Sequence, residues 1–193
     1  MRVLGIDPGS RFLGYGVVDV RGGRTEHVAS GVIRTDGKAP LARKLESIFI
    51  GLQAVITKWE PKSVAVEGVF THKNARSALV LGHARGVALL IAAQADLEVF
   101  EYAPARVKKA VGAGGNDSKE SVAKMVERLL SLREPLGRAD AYDALAVALC
   151  HAHQFRMPTP SGRTVIKLTS NQKRNLSADF LSRLKPSVVR AAP

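Results

Sequence analysis

After its first turn the run RADAYDALAVALCHAH, about Arg138 to His153, is almost entirely Ala, Leu and Val. A helix built from it has almost no polar face to offer to water and must be buried on most sides. Yet it begins with Asp140 and Asp143, which stand three residues apart and so share one helix face. A buried helix that opens on two adjacent carboxylates asks for a reason.

Two other apolar runs end the same way. VLGIDPG reads as a core strand that runs into Asp7, and SVAVEGVF reads as a β-branched strand that ends in Glu67. An unpaired carboxylate is costly where a core strand ends. If the strands bearing Asp7 and Glu67 are neighbours, their ends lie about 5 Å apart, and four acids meet in one small volume. Like charges in a half-buried site raise one another's pKa, which resists such a cluster unless divalent cations share it. Hard oxygen donors suit Mg²⁺ or Mn²⁺, and two ions roughly 4 Å apart activate a water and stabilise a leaving oxygen on a phosphodiester. Read alone, each acid is ordinary: Asp7 suits an Asp-Pro-Gly turn, Glu67 a strand end, and Asp140 and Asp143 a helix first turn.

The charge balance points to the same substrate class. The chain has 29 Lys and Arg against 17 Asp and Glu, a net charge of +12, which favours an acidic polymer as partner. Eight of the basic residues, against one acid, lie beyond Gln154. That composition predicts a catalytic domain over 1–153 and a basic, flexible tail over 154–193, with a short helix near 176 to 184. The 193 residues suit one main domain. The single cysteine, Cys150, forbids an intrachain disulfide. With no signal-peptide core and no segment of about 18 apolar residues, a soluble cytoplasmic protein away from membranes is expected.

Along the chain, strands are predicted at 2–7, 12–20 and 25–35 as an antiparallel meander, separated by DPGS and RGGR turns. Leu41, Leu45, Ile48, Leu52, Val55, Ile56 and Trp59 form one stripe at helical spacing. A second long helix, about Asn74 to Ala95, lies between the SVAVE strand and LEVFEY at 97–102. Strand, helix, strand implies parallel pairing with a right-handed crossover. Ala78, Gly82 and Gly86 form a narrow ridge on that helix, suited either to another chain or to its own sheet. The Gly-rich GAGGNDSK lacks the ending of a phosphate-binding P-loop and reads as a DNA-facing loop before a helix that Asp117 can cap. Cys150 and His153 share a face without a second ligand pair, which does not make a zinc site.

Four blocks, LGIDPGSRFLGYGVVD, AVEGVFTHKNARSALVLGHARGVAL, VFEYAPARVKKAVGAGGNDSKESV and RADAYDALAVALCHAH, resemble in order and spacing the RuvC family of Holliday-junction resolvases, from residue 2 to about 153. The resemblance implies an RNase H-like α/β fold, a mixed five-stranded sheet with helices on both faces, in a homodimeric, Mg²⁺-dependent, structure-selective endonuclease. It places Asp7, Glu67, Asp140 and Asp143 on the catalytic, metal-binding acids, with two Mg²⁺ per site and Mn²⁺ able to substitute. It places Lys108 and Lys119 on positions that face DNA and Phe70 on the aromatic that wedges against unstacked bases. Phe70, near His72 and Lys73, could also stack on a base by its chemistry alone, or pack under the long helix. The implied partners are four-way junction DNA and the RuvA and RuvB branch-migration proteins.

Other readings stay open on the residues. A phosphotransferase of the actin and sugar-kinase superfamily also opens on an Asp-x-Gly turn, but needs a second phosphate turn and an adenosine motif that the chain lacks. An RNase H-like nuclease on structured RNA, and a basic nucleic-acid-binding protein without catalysis, are the remaining alternatives.

Overall fold

The computed structural model describes residues 1–9, 11–68, 75–112, 119–154 and 165–166. Three strands come first, β1 (Arg2–Asp7), β2 (Phe12–Arg21) and β3 (Arg24–Arg34). They pair antiparallel as an ordered meander, with a bulge between Val17 and Val18 where β2 meets β3. Helix α1 (Leu41–Trp59) buries Ile48, Leu52 and Val55 from the predicted stripe. Strand β4 (Ser63–Glu67), helix α2 (Ala75–Gln94) and strand β5 (Glu98–Tyr102) form the expected crossover, with β4 parallel to both β1 and β5. Helices α3 (Pro104–Ala110), α4 (Lys119–Leu130) and α5 (Ala139–Gln154) follow. A two-residue strand, β6 (Val165–Ile166), pairs antiparallel with β5, so that part of the predicted tail extends the five-stranded sheet, in the order β3-β2-β1-β4-β5-β6.

Alternation along the strands divides the core in two. Val3, Ala65, Phe100 and Tyr102 face α3, α4 and α5, whereas Leu4, Ile6, Val64, Val66 and Val99 face α1 and α2. The period of two therefore puts Asp7 and Glu67 on the α5 face, at the ends of their strands. Helix α5 lies almost on the sheet backbone. A Cβ on Gly5 would stand 2.2 Å from the Ala144 carbonyl oxygen, and one on Gly14 would stand 1.9 Å from that of Asp140. Only glycine permits this approach, which lets the helix bury Ala141, Ala144, Leu145, Ala148 and Leu149.

Helix α2 differs from two expectations. Its window Ser77–Gln94 has a mean hydropathy of 1.4, long and apolar enough by length and composition to cross a membrane, which corrects the expectation that no segment reaches that length. The reason is its two unlike faces: Ala84, Ala88, Ile91 and Ala92 are buried in the core, while Leu79 and Leu90 are 63% and 54% exposed. The ridge lies on the outer side. Among the described residues nothing lies within 4 Å of a Cβ placed on Gly82 or Gly86, so neither glycine serves contact with its own sheet. Phe70, Lys73, the Asp117 cap, the Gly-rich stretch before α4 and the predicted helix near 176–184 lie outside the described residues.

Candidate active site

The register Ile6↔Val66 of the parallel pair carries Asp7 and Glu67 to adjacent strand ends, where their carboxyl groups share a hydrogen bond. Asp7 is pushed up to about 8, first by burial, then by the charges of Glu67, Asp143 and Asp140, with Lys119 pulling the other way. Glu67 is also raised, by burial and then by Asp143, while the Asp7 hydrogen bond, Lys119 and Lys108 oppose the shift. Glu67, Asp143 and Asp140 thus all act on Asp7 at the edge of the α5 face. Both shifts favour protonation of the Asp7–Glu67 pair, which relieves the excess charge.

Two cations hold the acids of α5. The Lys119 ammonium, in the first turn of α4, donates to Asp143 Oδ2 at 3.2 Å, and this contact raises the lysine's pKa. Lys119 is 73% exposed, so the ion pair faces solvent, where an anionic polymer can reach it. The Arg138 guanidinium donates from Nε to Asp140 Oδ2 at 3.2 Å and lies 3.5 Å from the Phe12 ring centroid. Lys108, on α3, is close enough to stabilise the ionised form of Glu67. Sequence reasoning gave Arg138 and Phe12 no role, although Arg138 stands two residues before Asp140.

The donor set fits hard divalent cations. It consists of carboxylates alone, and the raised Asp7 and Glu67 show that the protein does not carry this charge density unaided. As arranged, no three His, Cys, Asp or Glu side chains among the described residues stand close enough together to hold one ion. A cation held there would have to displace Lys119 from Asp143 and Arg138 from Asp140. The histidines near Cys150 are engaged elsewhere: His151 Nε2 lies 3.2 Å from Ser63 Oγ, its Nδ1 lies 2.6 Å from the Tyr102 hydroxyl, and His153 Nδ1 lies 2.9 Å from the Ala110 carbonyl. Burial pushes the Cys150 thiol up to about 11, which leaves it unreactive at neutral pH.

The chain was compared with known proteins. The family model described as crossover junction endodeoxyribonuclease RuvC matches residues 3–151. A crossover junction endodeoxyribonuclease RuvC from Myxococcus xanthus is 57% identical over 97% of this chain and 96% of its own length. One from Pelobacter propionicus is 52% identical over 86% of this chain and 93% of its own. Among solved structures, T. thermophilus RuvC in complex with Holliday junction substrate superposes with a TM-score of 0.76 at 34% identity, covering 86% of this chain and all of that one. The sheet order and the placement of helices on both faces are those of the RNase H-like fold.

Proposed function

Because the chain belongs to the RuvC family of crossover junction endodeoxyribonucleases, we propose that it resolves four-way DNA junctions in recombination and repair by nicking two strands of like polarity. The observation that carries this reading is the Asp7–Glu67 pair, raised in basicity and joined by Asp143 and Asp140, in a strongly basic protein.

Asp7, Glu67, Asp140 and Asp143 are the residues that would hold metal, two Mg²⁺ per site with Mn²⁺ able to substitute. When bound, the ions activate water for attack on phosphorus and stabilise the departing 3′ oxygen, leaving 5′-phosphate and 3′-hydroxyl ends. Asp7 and Glu67, both raised toward protonation, would have to be deprotonated to hold the ions. Lys119 and Lys108 turn from carboxylates toward DNA phosphates, which offer the same charge to an exposed ammonium. Phe70 and Lys73 are assigned to the unstacked bases and backbone at the crossover.

Symmetric nicking calls for two sites. The exposed apolar ridge of Leu79, Gly82, Gly86 and Leu90 on α2 supports a homodimer, because open space over both glycines lets a second helix backbone approach. RuvA and RuvB are the branch-migration partners that family membership suggests. Residues 1–153 form the catalytic domain in this reading, residues 154–193 a tail that adds phosphate contacts, and the cytoplasm is the place of action.

The test is strand nicking of a synthetic mobile junction and a linear duplex of the same sequence, with Mg²⁺, by the wild type and by Asp7→Asn. Paired nicks in the junction alone, lost in the variant while junction binding persists, are expected. Binding without nicks by the wild type in either Mg²⁺ or Mn²⁺ would replace the resolvase with a non-catalytic basic binding protein.

A further inference from the structure

Phe12, the first residue of β2, has three guanidinium groups around its ring. That of Arg138 stands 3.5 Å from the centroid, and those of Arg11 and Arg34 each stand 5.9 Å away. The sheet brings them together: Arg34 is the cross-strand partner of Phe12, and the Thr35 amide donates to the Arg11 carbonyl at 3.0 Å. Arg138 spends its charge on Asp140. Arg11 and Arg34 are exposed, and among the described residues neither has a carboxylate within ion-pair distance.

A ring face attracts a cation, and Arg138 already takes the near position. The other two guanidiniums add positive charge that no carboxylate among the described residues offsets, and an anion joining them would be attracted by both. Position says which anion. Phe12 lies two residues before Gly14, the register partner of Asp7, and Arg138 lies two residues before Asp140. The cluster therefore borders the acidic centre on its β2–β3 side, while Lys108 acts on Glu67 on the β4 side. A nucleic-acid strand laid across the acids meets basic groups before and after them. Planar guanidiniums held by a ring suit the tetrahedral oxygens of a phosphodiester better than free ammonium groups do.

We infer that Arg11 and Arg34, seated on Phe12 beside Asp140, form a second phosphate site that grips the DNA backbone on the β2–β3 side of the acidic centre. This rests on the reading of DNA as the substrate. Arg138 links the site to the acids, because it stacks on the same ring and holds Asp140.

The experiment measures Kd for a four-way junction and for a linear duplex against KCl concentration, in EDTA, for wild type, Arg11→Gln/Arg34→Gln and Arg11→Lys/Arg34→Lys, with nicking assayed separately. Each lost phosphate contact makes the log–log salt slope shallower by about 0.9. The Gln variant is expected to lose between about one and two such contacts on both DNAs, with native circular dichroism, and the Lys variant to recover most of the slope. An unchanged slope in the Gln variant overturns the site, as does a slope lost equally in both variants. If the wild type nicks no junction while the Gln variant still flattens the slope on duplex, the resolvase reading fails and the phosphate site stands.

Discussion

Glu67 stands beside Asp7 across the parallel β1–β4 pair, and the two carboxyl groups share a hydrogen bond. Two ionised carboxylates cannot share a hydrogen bond, so burial, which raises both groups, favours keeping a proton at this pair. Its release links acidity, metal and stability.

Stability without metal should fall as pH rises. Asp7, raised to about 8, keeps a proton that the unfolded chain releases near pH 4. Across that window the native state binds more protons than the unfolded one, so the stability present at low pH is lost as pH rises toward about 8. Scanning calorimetry in EDTA should show the thermal midpoint declining over this range. Asp7→Asn should flatten the decline and melt a few degrees higher near pH 8, a gain in the fold bought with loss of nicking. A midpoint independent of pH would argue against the buried proton.

Divalent cations should reverse that trend. Binding must displace the Asp7–Glu67 proton, so apparent affinity for Mg²⁺ or Mn²⁺ should rise with pH until about 8 and level off above it. The rise in thermal midpoint on adding metal should then be larger near pH 8 than near pH 6, and absent in Asp7→Asn. Calorimetric titration in buffers of different ionisation enthalpy would count the protons released.

Gly5→Ala tests the seat of α5. The added methyl would stand 2.2 Å from the Ala144 carbonyl oxygen and 2.7 Å from the Ala148 amide nitrogen, both backbone atoms that cannot turn aside. A loss of about 1–3 kcal/mol or more is expected in urea denaturation. Because α5 carries Asp140 and Asp143, nicking should fall further than stability alone accounts for.

The ridge on α2 separates protomer from assembly. With open space over Gly82 and Gly86, Ala at both positions should stabilise the helix by up to about 1 kcal/mol each. A dimer that uses the ridge should instead weaken. If the ridge forms the proposed dimer, sedimentation equilibrium should find a dimer for the wild type and folded monomers for Gly82→Leu/Gly86→Leu at the same concentration. A wild type that is monomeric on junction DNA would remove the dimer from the proposal.

The buried Ser63–His151–Tyr102 chain should be structural. Tyr102→Phe leaves His151 Nδ1 without its hydroxyl partner in a core where His151 is 1% exposed. A cost of about 1–3 kcal/mol is expected in denaturation, with nicking preserved at low temperature.

Much of this was legible before folding. Strand alternation, the Leu41–Trp59 stripe, the i, i+3 spacing of Asp140 and Asp143 and the acids that end two apolar runs are properties of neighbouring residues, set by backbone periodicity and short-range sterics. They marked the four acids that the fold brings to one end of the sheet. Other features depend on residues far apart in the chain. The register Ile6↔Val66 decides that Asp7 meets Glu67, and the pairing of Phe12 with Arg34 decides that three arginines meet on one ring. The Gly82–Gly86 ridge could have turned either way, and only the packing of Ala84, Ala88 and Ile91 against the sheet turned it outward. Periodicity says which side of an element is apolar. What that side touches follows from register and close packing, which depend on every element at once.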